Sequence, residues 1–169
     1  MQRRIPIGGG CPARGSAEAG HTAVKDKEER RSKRMLKQIS VFVENVAGSL
    51  MKVTKELVAE GINLRAISSF DTPEFGILRL IVDRPEDTVQ LLKDKGFFVR
   101  VKDVIAVEIE DRSGSLNRML EVLAEGNISI NYIYSFVIRE DQAPVMVFQT
   151  EYLEEAVQIL KNHGIHVID

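Results

Sequence analysis

Apolar residues recur along this chain with two periods, and each period predicts one kind of element. Ile105, Val107 and Ile109 alternate with small or acidic residues, which is the period of a strand with one buried face. Apolar residues then recur at three- and four-residue steps, as on one stripe of an amphipathic helix: Leu116, Met119, Leu120, Leu123 and Ala124. The same strand and helix are predicted earlier in the chain, where a similar stripe runs from Leu50 to Val58.

A second helix and a hairpin complete each half of the pattern. The second helices are predicted to begin near Pro85 and to end at Gly96 and Gly164, because proline suits a first helical turn and glycine suits the left-handed residue at a helix end. Before each of these helices, two apolar runs flank a polar turn, DTPE (71–74) or REDQAP (139–144), which predicts a hairpin. The order βαββαβ predicts an α+β fold of the ferredoxin-like type, an antiparallel sheet with two helices on one face.

The two halves are copies of one unit. Eleven residues between positions 39 and 70 have an identical residue 66 positions further on: Ile39, Val41, Glu44, Gly48, Ser49, Leu50, Leu57, Ile62, Ile67, Ser69 and Phe70. Near the end, VQLLKDKGFFV (89–99) matches VQILKNHGIHV (157–167) at a spacing of 68, so the second copy holds two extra residues, which we place in the REDQAP turn. This internal duplication predicts two ferredoxin-like units whose antiparallel sheets pack side by side.

The copies cover residues 38–103 and 104–169, and residues 1–37 precede them. The first 34 residues follow neither period and cannot bury enough apolar surface to fold. Through Lys37 there are ten Lys and Arg against four Asp and Glu, a charge of +6, whereas the remainder carries −8. We predict a disordered basic extension. It is either a dispensable tail or an over-extended start, with translation beginning at Met35, just before the first strand.

Composition and charge argue against several classes of protein. With 44% apolar and 28% charged residues the chain resembles an ordinary globular protein. No apolar stretch reaches the roughly 18–20 residues of a membrane-spanning helix, so we expect no membrane partner. The acidic folded part lacks the clustered cations of a nucleic-acid groove. The single cysteine, Cys11, excludes an internal disulfide and any multi-cysteine metal site, and a cytoplasmic location fits best.

No catalytic or metal-binding arrangement emerges from the sequence. His163 and His166 have a metal-like spacing, but His163 is predicted at a helix end, where the dipole favours it, and His166 in a strand. An RNA-recognition module shares the predicted strand order, yet the third strands lack its basic and aromatic motif. We therefore expect a protein that is not an enzyme and that uses no metal and no cofactor.

One strand-to-helix turn occurs twice, as ENVAGSL and EDRSGSL. Gly48 and Gly114 allow a sharp turn and a close approach of a ligand to the backbone. Ser49 and Ser115 are predicted to be the N-caps of the helices that follow. The first free amides of each helix would then face a crevice in which the helix dipole favours a carboxylate.

Asn45 and Asp111, at the strand ends, can accept hydrogen bonds from an ammonium group. A helix N-terminus for a carboxylate beside Asn or Asp for an amine makes a workable site for a free α-amino acid. A purely structural explanation stays open, because Gly-Ser before a helix is ordinary capping and Asn or Asp at a strand end is ordinary turn chemistry.

Residues 38–169 resemble the ACT-domain family. The motifs NVAGSL and DRSGSL fit its signature of Asn or Asp followed by x-x-Gly-x-Leu, and EGINL (60–64) and NISI (127–130) fit the opening of its second strand. DTPEFGILRLIV and YIYSFV are similar to stretches of small free-standing tandem ACT proteins. The family usually has proline before the glycine, where this chain has Ala47 and Ser113.

The resemblance implies paired modules that bind amino acids or related small molecules and regulate metabolic enzymes or transcription. It assigns ligand binding to the two turns and to facing strands, at Asn45, Gly48, Ser49, Leu50, Ile62 and Asn63 in the first copy and Asp111, Gly114, Ser115, Leu116, Ile128 and Ser129 in the second. It places Phe70, Asp71, Phe75 and Gly76 near the interface between modules. Because Ser129 replaces the asparagine, the second pocket is expected to differ or to be empty.

The sequence thus predicts a non-catalytic regulatory protein that senses a free amino acid at the two turns and at module interfaces. We expect it to form a homodimer and to act on a separate metabolic enzyme or regulator. The alternative is a ligand-independent interaction module that serves as the regulatory subunit of a metabolic enzyme.

Overall fold

A computed structural model describes residues 35–72, 75–136 and 143–168, and gives only the backbone of Asp71 and Phe136. The predicted extension, up to residue 34, and much of the REDQAP turn lie outside the described residues. Strands and helices follow in the order β1 (Leu36–Glu44), α1 (Ser49–Ala59), β2 (Leu64–Asp71), β3 (Phe75–Val82), α2 (Pro85–Asp94), β4 (Phe98–Glu108), α3 (Ser115–Glu125), β5 (Tyr132–Phe136), β6 (Val145–Gln149), α4 (Leu153–Asn162) and β7 (His166–Ile168).

The strands form two ladders with the ferredoxin-like order. In the first half β2 pairs with β3, β3 with β1 and β1 with β4, all antiparallel. In the second half β5 pairs with β6, β6 with β4 and β4 with β7, again antiparallel. The predicted fold, two ferredoxin-like units with their antiparallel sheets side by side, is confirmed, and among the described residues the two ladders join into one sheet.

Strand β4, with 11 residues, serves both units. Its residues Phe98 to Val104 pair with β1, and its residues Ile105 to Glu108 pair with β6. The sequence predicts a boundary between residues 103 and 104, and the ladder changes its partner next to that point without a break in the strand. The division into two domains stays a prediction, since no linker separates the units.

Each unit buries a core between its two helices and one face of its strands. The first core contains Ile39, Val41, Val53, Leu57, Ile62, Leu78, Leu80, Val82 and Leu92. The second contains Ile105, Val107, Met119, Val122, Leu123, Ile128, Met146, Phe148, Leu153, Ala156, Val157, Leu160 and Val167. Met35 also packs into the second core, although it directly precedes the first strand of the first unit. The chain therefore enters the fold at the contact between the units.

A third apolar cluster joins the two units through the strand faces that carry no helix. Its members are Ala66, Ile81, Val104, Ala106, Val145 and Val147. In β4, Val104 and Ala106 alternate with Ile105 and Val107 of the second core, so the cluster lies on the opposite face of the strand. Each helix-free face is thereby partly covered by the other unit.

A buried polar network extends this contact. The Gln38 side chain, fully buried in β1, donates from Nε2 to the hydroxyl of Tyr132 at 2.7 Å and accepts at Oε1 from the hydroxyl of Tyr134 at 3.0 Å. The Arg79 guanidinium lies 4.1 Å from the centre of the Tyr132 ring. Burial raises the pKa of both phenols, so they stay neutral and able to donate. The network fixes β5 of the second unit against β1 of the first.

The second helix of each unit begins and ends as the sequence signals predict, whereas one predicted strand begins later. Pro85 is the first residue of α2, and Gly96 and Gly164 follow α2 and α4 with positive φ angles of 83° and 71°. The run ISINYIYSF (128–136), the first apolar run of the second predicted hairpin, becomes a strand only at Tyr132. Its first residue, Ile128, packs into the second core before the strand begins.

Candidate functional site

The first repeated turn links β1 to α1 through three short backbone hydrogen bonds. The N–H of Val46 donates to the carbonyl of Glu44 at 2.9 Å, and the N–H of Ser49 donates to the carbonyl of Val46 at 3.2 Å. The first intrahelical bond runs from the N–H of Lys52 to the carbonyl of Gly48 at 3.0 Å. The chain thus reverses from strand to helix within five residues.

The second turn, between β4 and α3, repeats these bonds at equivalent positions. The N–H of Arg112 donates to the carbonyl of Glu110 at 2.9 Å, and the N–H of Ser115 donates to the carbonyl of Arg112 at 3.2 Å. The N–H of Arg118 donates to the carbonyl of Gly114 at 2.9 Å. The two backbone turns are therefore alike, whatever side chains surround them.

Glycine makes this geometry possible and also corrects one prediction. Gly48 and Gly114 are the N-cap residues, with φ angles of 88° and 93° in the left-handed region that other residues rarely adopt. The prediction that Ser49 and Ser115 are the N-caps is wrong, because each is the first helical residue and neither helix has a side-chain cap. The serine hydroxyls are thus not engaged in capping.

Two backbone amides remain free at the start of each of these helices. They belong to Leu50 and Met51 in α1 and to Leu116 and Asn117 in α3, and none of them donates to an acceptor within the described part of the chain. Free amides at a helix N-terminus attract anions, because the helix dipole adds a partial positive charge there. Each turn can therefore hold a carboxylate.

The first turn borders a cleft of about 490 Å³, the first cleft. Beside residues 43–51, it is lined by Ser69, Phe70, Gly76 and Ile77. Among the described residues of that lining, Glu44 is the one with a charged side chain. The Asn45 amide donates from Nδ2 to the carbonyl of Thr72 at 3.4 Å, which leaves its Oδ1 as an acceptor.

The second turn borders a smaller cleft of about 300 Å³, the second cleft. Its lining carries five ionisable side chains, namely Glu108, Glu110, Arg112, Arg118 and His166. The Glu108 carboxylate lies 2.7 Å from His166 Nδ1, and the Glu110 carboxylate lies 2.5 Å from Arg112 Nε. Arg118 has no such partner among the described residues.

The two clefts lie at opposite ends of β4. Phe42, near the end of β1, pairs with Phe98 at the start of β4, whereas the second turn follows Glu108 at the end of β4. A strand rises about 3.3 Å per residue, so the clefts are on the order of 30 Å apart. A free amino acid cannot contact both, and the described residues that line each cleft all belong to one unit.

The structure brings part of the predicted ligand set together. In the first copy, the predicted residues Asn45, Gly48, Ser49, Leu50, Phe70 and Gly76 all line the first cleft. In the second copy, Ser115 lines the second cleft, whereas Asp111, Gly114 and Leu116 lie in its turn or helix start but outside the lining. The predicted interface residue Phe75 lies outside the first cleft, and the side chain of Asp71 is not described.

The predicted facing-strand residues lie away from both clefts. Ile62 and Ile128 are buried in the cores of their units, and the backbone N–H of Asn63 donates to the Asp83 carboxylate at 3.1 Å. They precede β2 and β5, and a strand parallel to β1 begins at the end of the sheet opposite to the turn. The ligand role of Ile62, Asn63, Ile128 and Ser129 stays a prediction.

Sequence reasoning misplaced some residues and missed others. Leu50 and Val58 were predicted to lie on one buried stripe of α1, yet both are exposed, and Leu50, which the resemblance also assigns to the ligand set, lines the first cleft. Ile77 lines it too, and its signal is the alternation with Leu78 of the core. In the second cleft, Arg118 gave no signal, because a lone cation on a helix usually faces water, and His166 was noted only for its spacing from His163.

The described residues contain no group of three or more His, Cys, Asp or Glu side chains arranged to hold a metal ion. His163 follows the end of α4, where its Nδ1 lies 2.8 Å from the carbonyl of Ile159, and His166 opens β7. Both positions match the sequence prediction. None of the described helices is both long and apolar enough to span a membrane.

Known proteins resemble the chain over most of its length. A solved structure of a protein from Bacteroides thetaiotaomicron is 32% identical, with a TM-score of 0.76, and the match covers 80% of this chain and 92% of that one. The regulatory subunits of aspartate kinase from Thermus thermophilus and Thermus flavus share the fold at 16% and 17% identity, with TM-scores of 0.57 and 0.55. These matches cover 75% and 76% of this chain and 91% and 92% of the subunits.

No curated protein sequence matches the chain. The family model described as an ACT domain pair matches residues 34–169, which include all described elements of both units. With the repeated βαββαβ units, the duplicated glycine turn and this match, the chain belongs to the family of ACT domain pairs.

Proposed function

We propose that this protein is a non-catalytic regulator that senses a free amino acid at its two strand-to-helix turns. The observation that carries the proposal is the pair of free amides at each helix start, behind a left-handed glycine and beside a cleft. Such amides bind an α-carboxylate through charge-assisted hydrogen bonds. The residues that a catalyst would need were not found in the sequence.

The ammonium group of the ligand finds acceptors next to the same amides. In the first cleft these are Oδ1 of Asn45 and the carboxylate of Glu44. In the second cleft they are the carboxylates of Glu108 and Glu110. Each charge-assisted bond contributes about 1.5–3 kcal/mol, less the cost of ordering the ligand, which suggests an affinity between about millimolar and micromolar. That range suits a sensor of a metabolite pool.

The response would pass to a separate protein, a metabolic enzyme in the cytoplasm. Support comes from the fold that this chain shares with two regulatory subunits of aspartate kinase, which are named as subunits that regulate an enzyme. A bound ligand shifts the protein between two states only as far as it binds them with different affinity.

Thermal-shift measurements with the twenty amino acids at millimolar concentration test the proposal. One or a few should raise the Tm, since a ligand at 100 times its Kd adds about 2.7 kcal/mol of stability. The variants Gly48→Ala and Gly114→Ala should each remove the response of their own cleft, because the strained turn moves the amides. Gly96→Ala is the matched control, with φ 83° and open space around the added methyl group, but outside both clefts.

The alternative function is a ligand-independent interaction module, the regulatory subunit of a metabolic enzyme. A specific feature favours it: the aromatic rings of Phe42, Phe75 and Phe98 cluster on the helix-free face of the first unit, and Phe98 is 60% exposed. If no amino acid raises the Tm and the glycine variants behave like Gly96→Ala in every assay, the sensor proposal fails and this alternative gains.

We also propose that two chains associate. Residues 98–103 of β4 pair with β1 along one edge and have no strand along the other edge within the described residues. Val101 on this strand is 44% exposed, so apolar side chains accompany the open edge. Within one chain, the described lining of each cleft comes from a single unit, and a second chain would place another unit against it. Light scattering should give a dimer for the native chain and a monomer for Val101→Lys, since edge charges oppose strand pairing.

A further inference from the structure

The helix-free face of the first unit carries a row of cations beside a row of aromatic rings. In the aromatic row, Phe42 of β1 lies opposite Phe98 of β4. In the neighbouring row, Ser40 lies between Arg79 of β3 and Arg100 of β4. Residues opposite each other in a ladder, or two apart in a strand, share one face of the sheet, so the two rows adjoin. Phe98 is 60% exposed, and Arg100 is also exposed. We call Phe42, Arg79, Phe98 and Arg100 the arginine surface.

Ring contacts hold both guanidinium groups of this surface in place. The Arg100 guanidinium carbon lies 5.9 Å from the centre of the Phe42 ring and 5.7 Å from that of Phe98. The Arg79 guanidinium carbon lies 4.1 Å from the centre of the Tyr132 ring. These distances fall within the roughly 6 Å at which a cation is attracted to a ring face. An arginine held over a ring still offers N–H donors at the edge of its planar group, and their spacing matches a carboxylate.

Neither arginine has a carboxylate partner among the described residues. Lys102, two residues beyond Arg100 on β4, is exposed and adds a further cation to the same face. Glu44, an acidic residue on this face of β1, is four residues from the row of cations, which is about 13 Å along the strand. The arginine surface is therefore a local positive patch on an acidic folded part, whose charge is −8.

The fold does not require these cations. The residues equivalent to Arg79 and Arg100 in the second unit are Val147 and Ile168, which pack in or against the apolar cluster between the units. The same ladder positions thus accept apolar residues, and the first unit places charge there instead. Arginine and aromatic side chains are enriched at protein interfaces, and they supply a large share of the residues that dominate binding. The arginine surface therefore has the composition of a binding surface.

We propose that the arginine surface binds an acidic segment of a separate protein, with carboxylates at Arg79 and Arg100 and an apolar side chain against Phe98. Opposite charge steers such a segment to this patch and away from the acidic remainder of the protein. A small anion alone would leave the Phe98 ring uncovered. A second copy that presented the same surface would place like charges together.

Single-stranded nucleic acid is another class of partner that cations and rings can bind. In this protein the Phe42 and Phe98 rings pack against each other with an interplanar angle of 65°, and the acidic folded part repels a phosphate backbone. The observations therefore favour a protein segment. This inference rests on that part of the proposed function in which the response passes to a separate protein, and it does not depend on amino-acid binding.

Selection of peptides from a random displayed library on the full chain tests this inference. Peptides that combine Asp or Glu with Phe, Leu or Ile should be enriched relative to a selection on the Arg100→Ala chain. In fluorescence anisotropy, the Kd of a synthetic consensus peptide should rise about fivefold in Arg100→Ala and about tenfold in Phe98→Ala. Arg65→Ala, at an exposed arginine of the same unit outside the arginine surface, is the matched control and should leave the Kd unchanged. Arg100 is exposed, so its variant should keep the native circular dichroism spectrum even if Phe98→Ala does not.

Several results would overturn the inference. These are no enrichment over the Arg100→Ala chain, enrichment of peptides without acidic residues, or an equal loss of binding in Arg65→Ala. Tighter binding of a labelled oligouridine than of the peptide would assign the surface to nucleic acid, and a change of oligomeric state in Arg100→Ala by light scattering would assign it to a second copy.

The outcomes also separate this inference from amino-acid sensing. If no peptide binds while an amino acid raises the Tm, the arginine surface is wrong and sensing stands. If peptides bind as expected while the thermal screen is blank, sensing falls and the arginine surface stands.

Discussion

The two units share a backbone and differ in the chemistry at the ends of their strands. In the first unit the rings of Phe42 and Phe98 pack edge to face, with centres 5.2 Å apart. At the equivalent positions the second unit carries Glu108 and His166, whose side chains form a hydrogen bond of 2.7 Å. Phe75, which also contacts Phe42, has the small Ala143 as its counterpart.

This difference teaches which features the fold requires. The turn hydrogen bonds recur to within 0.1 Å at positions 66 residues apart, because they depend on a strand end, a glycine and a helix start. The residues around the turns are under no such constraint. A duplicated unit can therefore keep one backbone turn and change its ligand or its partner through a few residues of the cleft lining.

The contact between the units shows the same asymmetry. On one side, Gln38 of β1 forms hydrogen bonds with Tyr132 and Tyr134 of the second unit. The residues equivalent to Gln38 and Tyr132 are Val104 and Ala66, and these two pack in one apolar cluster. One side of a pseudo-symmetric contact is polar and the other apolar. A polar pair specifies the register of a contact, and an apolar pair supplies burial.

The largest expected effect comes from core truncation in each unit. Leu80 and Phe148 occupy equivalent positions in β3 and β6 and are fully buried. Leu80→Ala should cost about 2–5 kcal/mol and Phe148→Ala about 3–5 kcal/mol of unfolding free energy. Because β4 belongs to both cores, urea unfolding followed by circular dichroism should remain a single transition in both variants. Loss of half the signal at low urea in one variant would show that the units unfold separately.

The turns should respond equally to the loss of their glycines. A left-handed residue with a Cβ costs about 1–2 kcal/mol, and an added Cβ at Gly48 or Gly114 meets no atom within 4 Å. Gly48→Ala and Gly114→Ala should therefore each lower the unfolding free energy by about that amount. Chemical denaturation measures it, and a difference above about 1 kcal/mol between the two would contradict the equivalence of the turns.

The strand ends should respond unequally. Phe98→Ala removes an aromatic pair worth about 0.5–1.5 kcal/mol beyond its buried area, and that loss should not depend on salt. His166→Ala removes the exposed contact between His166 and Glu108, which is an ion pair worth about 0–1 kcal/mol when the imidazole is protonated, and at an acidic pH the loss should shrink at high salt. Denaturation at that pH in low and high sodium chloride separates the two variants, and equal salt dependence would mean that Glu108 and His166 do not pair in solution.

A pH-dependent effect is expected on the polar side of the unit contact. Burial raises the pKa of Tyr134 in the folded state above its unfolded value of about 10. The unfolded chain therefore releases this proton first, so the stabilising contribution is complete below about pH 10 and declines as the pH rises above it. Stability measured between pH 8 and pH 11 should fall more steeply for the native chain than for Tyr134→Phe.

At pH 8 the same variant should lose about 1–3 kcal/mol, because Oε1 of buried Gln38 loses its donor. Tyr152→Phe, at an exposed tyrosine outside the network, is the control. Equal alkaline slopes for the native chain and Tyr134→Phe would show that this phenol does not govern the alkaline response.

Local signals in the sequence were enough for the elements and the duplication. The alternation at Ile105 and Val107 and the helical stripe through Leu123 depend on neighbouring residues, and these predictions hold. Events set by distant residues were not predictable in this way. The fusion of two predicted strands into β4 depends on partners in β1 and β6, and Ser49 lost its capping role because Gly48 adopts the left-handed turn.

The candidate site divides along the same line. The repeat and the glycine motif indicated the two strand-to-helix turns, because those features are local. The rest of each cleft lining includes residues such as Ile77 and His166, which lie far from the turns in sequence and reach them only through strand pairing. For that reason the facing residues inferred by resemblance, Ile62 and Asn63, were placed by family pattern and not by the geometry of this chain.

The continuous strand β4 has a mechanical consequence. Val104 and Ile105, where the ladder changes its partner, are fully buried, so a protease finds no connecting loop to cut between the units. A rotation of one unit against the other must twist this strand and disturb the hydrogen bonds on both sides of it. Because β4 belongs to both units, a distortion of the strand in one unit is transmitted to the other.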